Sequence, residues 1–238
     1  LKKNLKIKRN QVLNILPNST ILMYPDVSIY SEGKTIIDGT KGKIVIKRKN
    51  DNKPWGVISI NGSRSNGSVL KNLSISGGSS AFIENIKYSG MISFFWNNNI
   101  LIENLVVNNN QVGDDTLHFS NSSGIIKNLD IYKCFADCID FDYSSYNLEN
   151  LKINKSKNDG LDFMESRIKG KDIIIMNALD KGISAGENSK ITLDNIDISN
   201  SLIGIAVKDL SKVSLDNVVF YKNSVAVDIY RKNWRYKK

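Results

Sequence analysis

Six short segments of this chain, DTLHFS, DCIDFD, DGLDFM, KGISAG, IGIAVK and VAVDIY, start at Asp115, Asp137, Asp159, Lys181, Ile203 and Val225, each 22 residues after the one before. A period this short constrains the fold more than any other feature, because one unit cannot bury an apolar face alone and must stack on its neighbours. The third position reads Leu117, Ile139, Leu161, Ile183, Ile205 and Val227, and the fifth reads Phe119, Phe141, Phe163, Ala185, Val207 and Ile229. These alternate with a small second position and a variable fourth, the pattern of a half-buried strand. A second strand is expected in every unit at NLVV, NLDI, NLKI, DIII, NIDI and NVVF, opening at Asn104, Asn128, Asn150, Asp172, Asn195 and Asn217. No unit carries helical periodicity.

Units built only of strands and turns predict an all-β parallel solenoid with about 22 residues per coil, in which equivalent positions stack from coil to coil. A leucine-rich repeat would need an L-x-x-L-x-L ladder, which is absent. ISINGSRSNGSVLKNLSISGG and YSGMISFFWNNNILIENLVV read as earlier coils, with a longer excursion between Ser76 and Ser89. The expected organisation is one domain over residues 1–238: a cap and first coils to about 55, regular coils over about 56–230, and a basic tail at 231–238. No apolar run approaches the roughly 18 residues of a membrane span. The chain begins at Leu1 without a signal-peptide pattern, which suggests a trimmed fragment and leaves localisation unread from this end.

On these repeats the chain resembles the right-handed parallel β-helix, or pectate-lyase-like, superfamily, from about Ile58 to Tyr230 and more loosely from Leu5 to Trp55. The resemblance implies action on polysaccharides as a lyase, hydrolase or epimerase, or service as an adhesin or scaffold, and it favours an extracellular or cell-surface setting. Fold alone does not choose among these. Polygalacturonase-like hydrolases offer a sharper comparison, since Asn158-Asp159-Gly160 and Gly113-Asp114-Asp115 resemble two of their motifs. The order of the two is wrong, Gly-His-Gly is absent, and Arg167-Ile168-Lys169 is offset, so that mechanism is not transferred.

The repeat turns single acids into columns. Asp115, Asp137 and Asp159 stack at the bend entering the strand, whereas His118, Asp140 and Asp162 stack on its outward side, which Asp142 shares. Carboxylates one strand spacing apart, about 4.8 Å, repel by about 3 to 4 kcal/mol at an effective dielectric near 20. A bound cation, a shared proton, lysine partners or splaying into water would relieve this. A hard cation such as calcium on Asp137, Asp140, Asp159 and Asp162 would follow the pectate-lyase resemblance, and a shared proton would raise one acid into the range of a general acid. Alternatively, the first column caps backbone N–H groups, as Asx residues do in turns. The acidic run ends at Lys181, and Lys208 lies one coil further on.

The chain has 33 Lys and Arg against 24 Asp and Glu, a formal charge of +9, yet the window from Gln111 to Ser166 holds ten acids and five lysines. A basic chain with an acidic middle suits an anionic polymer. No nucleic-acid motif accompanies the basic ends, so nucleic acid is not expected as a partner. One histidine excludes the common zinc constellations. Cys134 and Cys138 are expected to be free buried thiols.

Three functional readings follow. The first is elimination or epimerisation on an acidic polysaccharide, with His118 or Lys181 as base, Asp140 and Asp162 in the reaction, and Asp115, Asp142 and Lys208 contacting substrate. The second is glycoside hydrolysis by paired aspartates. The third is a non-catalytic glycan-binding or structural module attached to other domains of a larger surface protein.

Overall fold

The structure of the chain, a computed structural model, describes residues 1–50 and 52–236. Its strands form a β-solenoid, with one short 3-10 turn at Ser63–Ser65. One parallel sheet has ten strands and ends in Gly90–Phe95, Asp115–Ser120, Asp137–Asp142, Leu161–Met164, Lys181–Gly186, Ile203–Lys208 and Val225–Tyr230. A second parallel sheet carries the longer strands, among them Ile100–Asn108, Ser123–Cys134, Ser145–Ser156, Arg167–Ala178, Lys190–Ser199 and Lys212–Tyr221. Leu5–Ile7 and Ile29–Ser31 pair in order beneath Ile58–Asn61, so the first residues already belong to the first sheet.

The expected columns are the observed ones. Leu117 pairs with Ile139, Ile139 with Leu161, Leu161 with Ile183 and Ile183 with Ile205, all fully buried. Two positions on, the rings of Phe94, Phe119, Phe141 and Phe163 stack at centroid distances of 4.9, 4.8 and 5.5 Å. Burying each such ring is worth roughly 1.5–3 kcal/mol. The same column then narrows to Ala185 and Val207.

The Asn positions behave differently from the strand starts the sequence suggests. The strands begin earlier, at Ser123, Ser145 and Arg167, and the Asn lies inside them at a bend with φ near the left-handed region. Asn72, Asn104, Asn128 and Asn150 have φ of 50°, 52°, 53° and 56°. Asn tolerates this conformation better than other non-glycine residues. Each amide also donates to the next one back, Asn104 to Asn72, Asn128 to Asn104 and Asn150 to Asn128, all at 2.8 Å. A serine ladder closes the opposite corner: the N–H groups of Ser122, Ser144, Ser166 and Ser189 donate to the hydroxyls of Ser144, Ser166, Ser189 and Ser211 at 3.0–3.1 Å.

The excursion after Ser76 contains an antiparallel hairpin, Ala81–Ile83 with Ile86–Tyr88, over a small cluster of Tyr30, Val57, Tyr88 and Phe95. Cys134 and Cys138 are joined in a disulfide, with Cα atoms 5.3 Å apart, rather than free. Cys134 ends one long strand and Cys138 lies near the start of the next strand of the first sheet, so the corner itself brings them together. At the far end, Asp209 accepts the N–H groups of Lys232 and Asn233 at 2.8 Å. Of the basic tail, Lys237 and Lys238 lie outside the described residues. No helix among the described residues is long and apolar enough to cross a membrane.

Candidate functional site

His118 sits on Asp115–Ser120 with its ring on the outward side, paired in register with Asp140, which pairs with Asp162, which pairs with Ser184. The alternation of the strand forces this placement, since Leu117 and Phe119 occupy the inward side. The His118 ring is 9% exposed by residue and lies edge-on to Phe95, centroids 5.0 Å apart. Its Nδ1 is 2.7 Å from the Ser89 hydroxyl and its Nε2 is 3.1 Å from Asp142 Oδ2. A protonated ring donates from Nε2 to Asp142 and from Nδ1 to Ser89, which frees the Ser89 hydroxyl proton for Asp115. Asp115 Oδ2 and Asp140 Oδ2 complete the surroundings at 3.7 and 3.9 Å. Ser89 carries no sequence signal of this role, because it ends an irregular excursion outside the repeat.

The first column divides in two. Asp137 Oδ1 accepts the N–H of Asp159 at 2.6 Å and the amide of Asn158 at 2.7 Å. Asp159 Oδ1 in turn accepts the Lys181 N–H at 3.0 Å and faces its ammonium at 3.4 Å. These two aspartates therefore tie each coil to the next, as Asx caps do. Asp115 makes no such bond: the N–H of Asp137 goes to the Asp114 carbonyl instead. Its carboxyl is left to His118 and Ser89.

Burial makes these acids weak. It raises Asp115 to about 6 against the pull of His118 and Ser89, and raises Asp137 to about 7 despite the Asp159 N–H. Asp159 rises to about 6, again through burial, with Lys181 opposing. Asp140 is pushed well above the ordinary carboxyl range by burial and then by Asp115, Asp142, Asp162 and Asp137. Lys181, which burial alone would push down, is held above the usual lysine value by its bond to Asp180 and by Asp159. Asp162 accepts the Phe163 N–H at 3.0 Å. Lys208 is buried on Ile203–Lys208, over Gly186 and facing Glu187, rather than in contact with His118.

Ligand atoms of Asp115, His118 and Asp140 lie within 4.8 Å of one another, so this buried group could hold a metal ion. Two carboxylates and one imidazole suit a cation that accepts nitrogen better than they suit calcium, which takes oxygen ligands. Of the aspartates considered for calcium, Asp137 and Asp159 already commit one oxygen each to backbone N–H groups.

Residues 115–235 match the family described as the right handed beta helix region. The chain belongs to that family. No curated protein matches it in sequence. Among solved structures, the catalytic domain of a GH87 alpha-1,3-glucanase in complex with nigerose is similar at 15% identity with a TM-score of 0.42, covering 93% of this chain and 61% of that one. A GH87 alpha-1,3-glucanase catalytic domain in complex with tetrasaccharides gives 15% and 0.40, covering 95% of this chain and 53% of that one. PfbA, a surface adhesin of Streptococcus pneumoniae, gives 11% and 0.35, covering 98% and 82%. The chain thus spans little more than half the length of the glucanase domains.

Proposed function

We propose that this β-helix cleaves an acidic polysaccharide at the face carrying His118, Asp140 and Asp162, by glycoside hydrolysis. The observation that carries the reading is Asp140, an outward carboxyl in register between His118 and Asp162 that burial, and then four neighbouring aspartates, push well above the ordinary carboxyl range. Such a group is a general acid: its proton passes to the glycosidic oxygen as the bond to the anomeric carbon breaks. Asp162, one coil on along the same outward face, supplies the second carboxylate. It either activates a water or attacks the anomeric carbon directly, according to the separation that substrate leaves between the two groups. His118, fixed between Ser89 and Asp142, positions the acid and faces the developing charge. In this reading Asp142 accepts a sugar hydroxyl beside His118, while Lys181, bound to Asp180 and Asp159, closes the end of the acidic face.

Elimination or epimerisation needs a base free to take a proton, and both nitrogens of His118 and the ammonium of Lys181 are already engaged. One observation nonetheless favours that second reading: the Asp115, His118 and Asp140 group could hold a cation that neutralises a uronate carboxylate. One experiment separates the two. Acidic and neutral polysaccharides are incubated with the protein, with and without chelator, while reducing ends and absorbance near the ultraviolet edge are followed. Hydrolysis gives reducing ends without the absorbance, unaffected by chelator and lost in Asp140→Asn. Absorbing products that vanish with chelator would replace it with the elimination reading. Full retention of activity in Asp140→Asn would remove Asp140 from the reaction, and no product from any polysaccharide with the unaltered protein would leave a non-catalytic module.

A further inference from the structure

A cavity of about 520 Å³ opens at the turns that lead into the carboxylate strands, walled by Lys133, Phe135, Lys155, Lys157 and Leu179 above the floor of Cys134 and Ser156. Its lysines are unusual in two ways. Lys133 and Lys155 have φ of 60° and 65°, at a corner where the coils before and after place Asn109, Asn177 and Asn200 at 62°, 60° and 56°. The pairing of Asn108 with Tyr132, Tyr132 with Asn154 and Asn154 with Met176 establishes that these corner residues are equivalent. Asn enters that backbone region readily, while a lysine resists it. Lysine recurs there only at Lys222 in the last coil, where the ammonium rests on the Tyr221 ring.

The second peculiarity is their grouping, since three exposed ammonium groups gather around one cavity. Lys127 and Lys171 share Glu149, Lys71 meets Glu103, and Lys181 meets Asp159 and Asp180. Among the described residues no carboxylate lies within 4.0 Å of the ammonium groups of Lys133, Lys155 or Lys157. Lys157 instead lies 4.9 Å from the centre of the Phe135 ring. Phe135 and Leu179 are 40% and 68% exposed, so flat apolar surface stands beside unneutralised positive charge. Three like charges around one cavity with exposed apolar surface beside them make a concave positive patch that favours an anionic ligand.

We propose that this cavity is a subsite for one acidic unit of a saccharide, its anionic group held between the lysines and its C–H face laid on Phe135 and Leu179. The inference rests on the reading of the neighbouring face as the place where an acidic polysaccharide is cleaved. The two are joined by the shortest of links: Lys157 precedes Asp159 by two residues, and the Asn158 amide between them holds Asp137. The Cys134–Cys138 disulfide fastens the strip carrying Lys133 and Phe135 to the start of Asp137–Asp142.

The test is calorimetric titration of the protein with an oligogalacturonate, a sulfated dextran oligosaccharide and a neutral dextran of equal length. At least one anionic probe is expected to bind ten-fold or more tightly than the neutral one, and to weaken as salt rises. The two anionic arms distinguish a carboxylate from a sulfate ligand. The Lys133→Asn/Lys155→Asn variant restores the residue of the flanking coils, so it keeps or raises the melting temperature while losing at least ten-fold in anionic affinity. Equal binding of neutral and anionic probes, or unchanged binding by that folded variant, would overturn the subsite. Binding by Asp140→Asn keeps the two readings apart. An Asp140→Asn protein that is fully active but whose anion binding depends on the lysines removes Asp140 as the general acid and keeps the subsite. An inactive Asp140→Asn protein alongside lysine variants that bind normally does the reverse.

Discussion

Two stacks of like polar residues run along this solenoid, and they solve the problem of being stacked in opposite ways. Asn72, Asn104, Asn128 and Asn150 each offer a donor and an acceptor, so every amide inside the ladder bonds to the coils on both sides at 2.8 Å. His118, Asp140 and Asp162 repeat on the same pitch, but ionised carboxylates only accept and cannot satisfy one another. Burial first, and then the neighbouring carboxylates, push Asp140 well above its ordinary pKa. A stack that satisfies itself needs no explanation beyond the fold. One that destabilises the fold in several places is where chemistry is expected.

The largest expected effect falls on the second stack. Asp140→Asn keeps the shape of the side chain and removes its exchangeable proton, so hydrolysis of the cognate polysaccharide should drop roughly 10²–10⁴-fold, the usual contribution of a general acid. Melting temperature should hold or rise at neutral pH, because the substitution puts a permanently neutral amide where the fold disfavours an ionised carboxyl. Parallel thermal melts and initial rates check both halves. A variant that loses activity only because it unfolds would place Asp140 with the structural residues.

How much of this was legible in the sequence follows from what a repeat can encode. Period and parity are encoded, and so the pairings Asp115 with Asp137, His118 with Asp140 and Asp140 with Asp162 are those the 22-residue spacing gives. Which oxygen each stacked acid commits, and to what, is not encoded. Asp115, Asp137 and Asp159 look alike in sequence, yet the latter two bind the next coil's backbone and Asp115 turns to His118. Ser89 lies before the repeat settles, and the corner that closes the Cys134–Cys138 bond has no pattern of its own. The Asn residues, read as strand openings, are bends inside longer strands, because a left-handed residue interrupts direction without ending the ladder of the sheet.

A second contrast is expected in the response to pH. Burial pushes Asp115 and Asp159 up to about 6 and Asp137 up to about 7 in the folded chain, all above the 3.8 of an unburied carboxyl, and Asp140 is raised well above that value too. Below about 4 both folded and unfolded chains hold these protons; between about 4 and 7 only the folded chain does. Stability is therefore greatest at the acid end of that window and falls as pH rises through it. A tenfold difference in proton affinity between the folded and unfolded chains corresponds to about 1.4 kcal/mol, which for a domain of this size moves the melting temperature by roughly 3–6 °C. Asp137→Asn retains an acceptor for the Asp159 N–H and should flatten the slope. Calorimetry from pH 4.5 to 7.5 decides it, and a melting temperature that climbs across the window would contradict the placement of these carboxyls.

The smallest effect probes the Asn ladder, where geometry and hydrogen bonding can be taken apart. Asn128 donates to Asn104 and accepts from Asn150 while holding φ at 53°. Asn128→Ala loses both bonds and also forces a Cβ-bearing residue without a local polar contact into the left-handed region, a strain of about 1–2 kcal/mol. With net hydrogen-bond losses of about 0.5 kcal/mol each at this exposed corner, the total should be about 2–3 kcal/mol. Asn128→Gly loses the same bonds but takes the left-handed region freely, so it should cost only about 1 kcal/mol. Denaturant unfolding measures the difference. If both variants destabilise equally, the bend is held by the amide ladder rather than chosen by the residue. In either case cleavage at the His118 face should be unchanged, since Asn128 belongs to the other sheet.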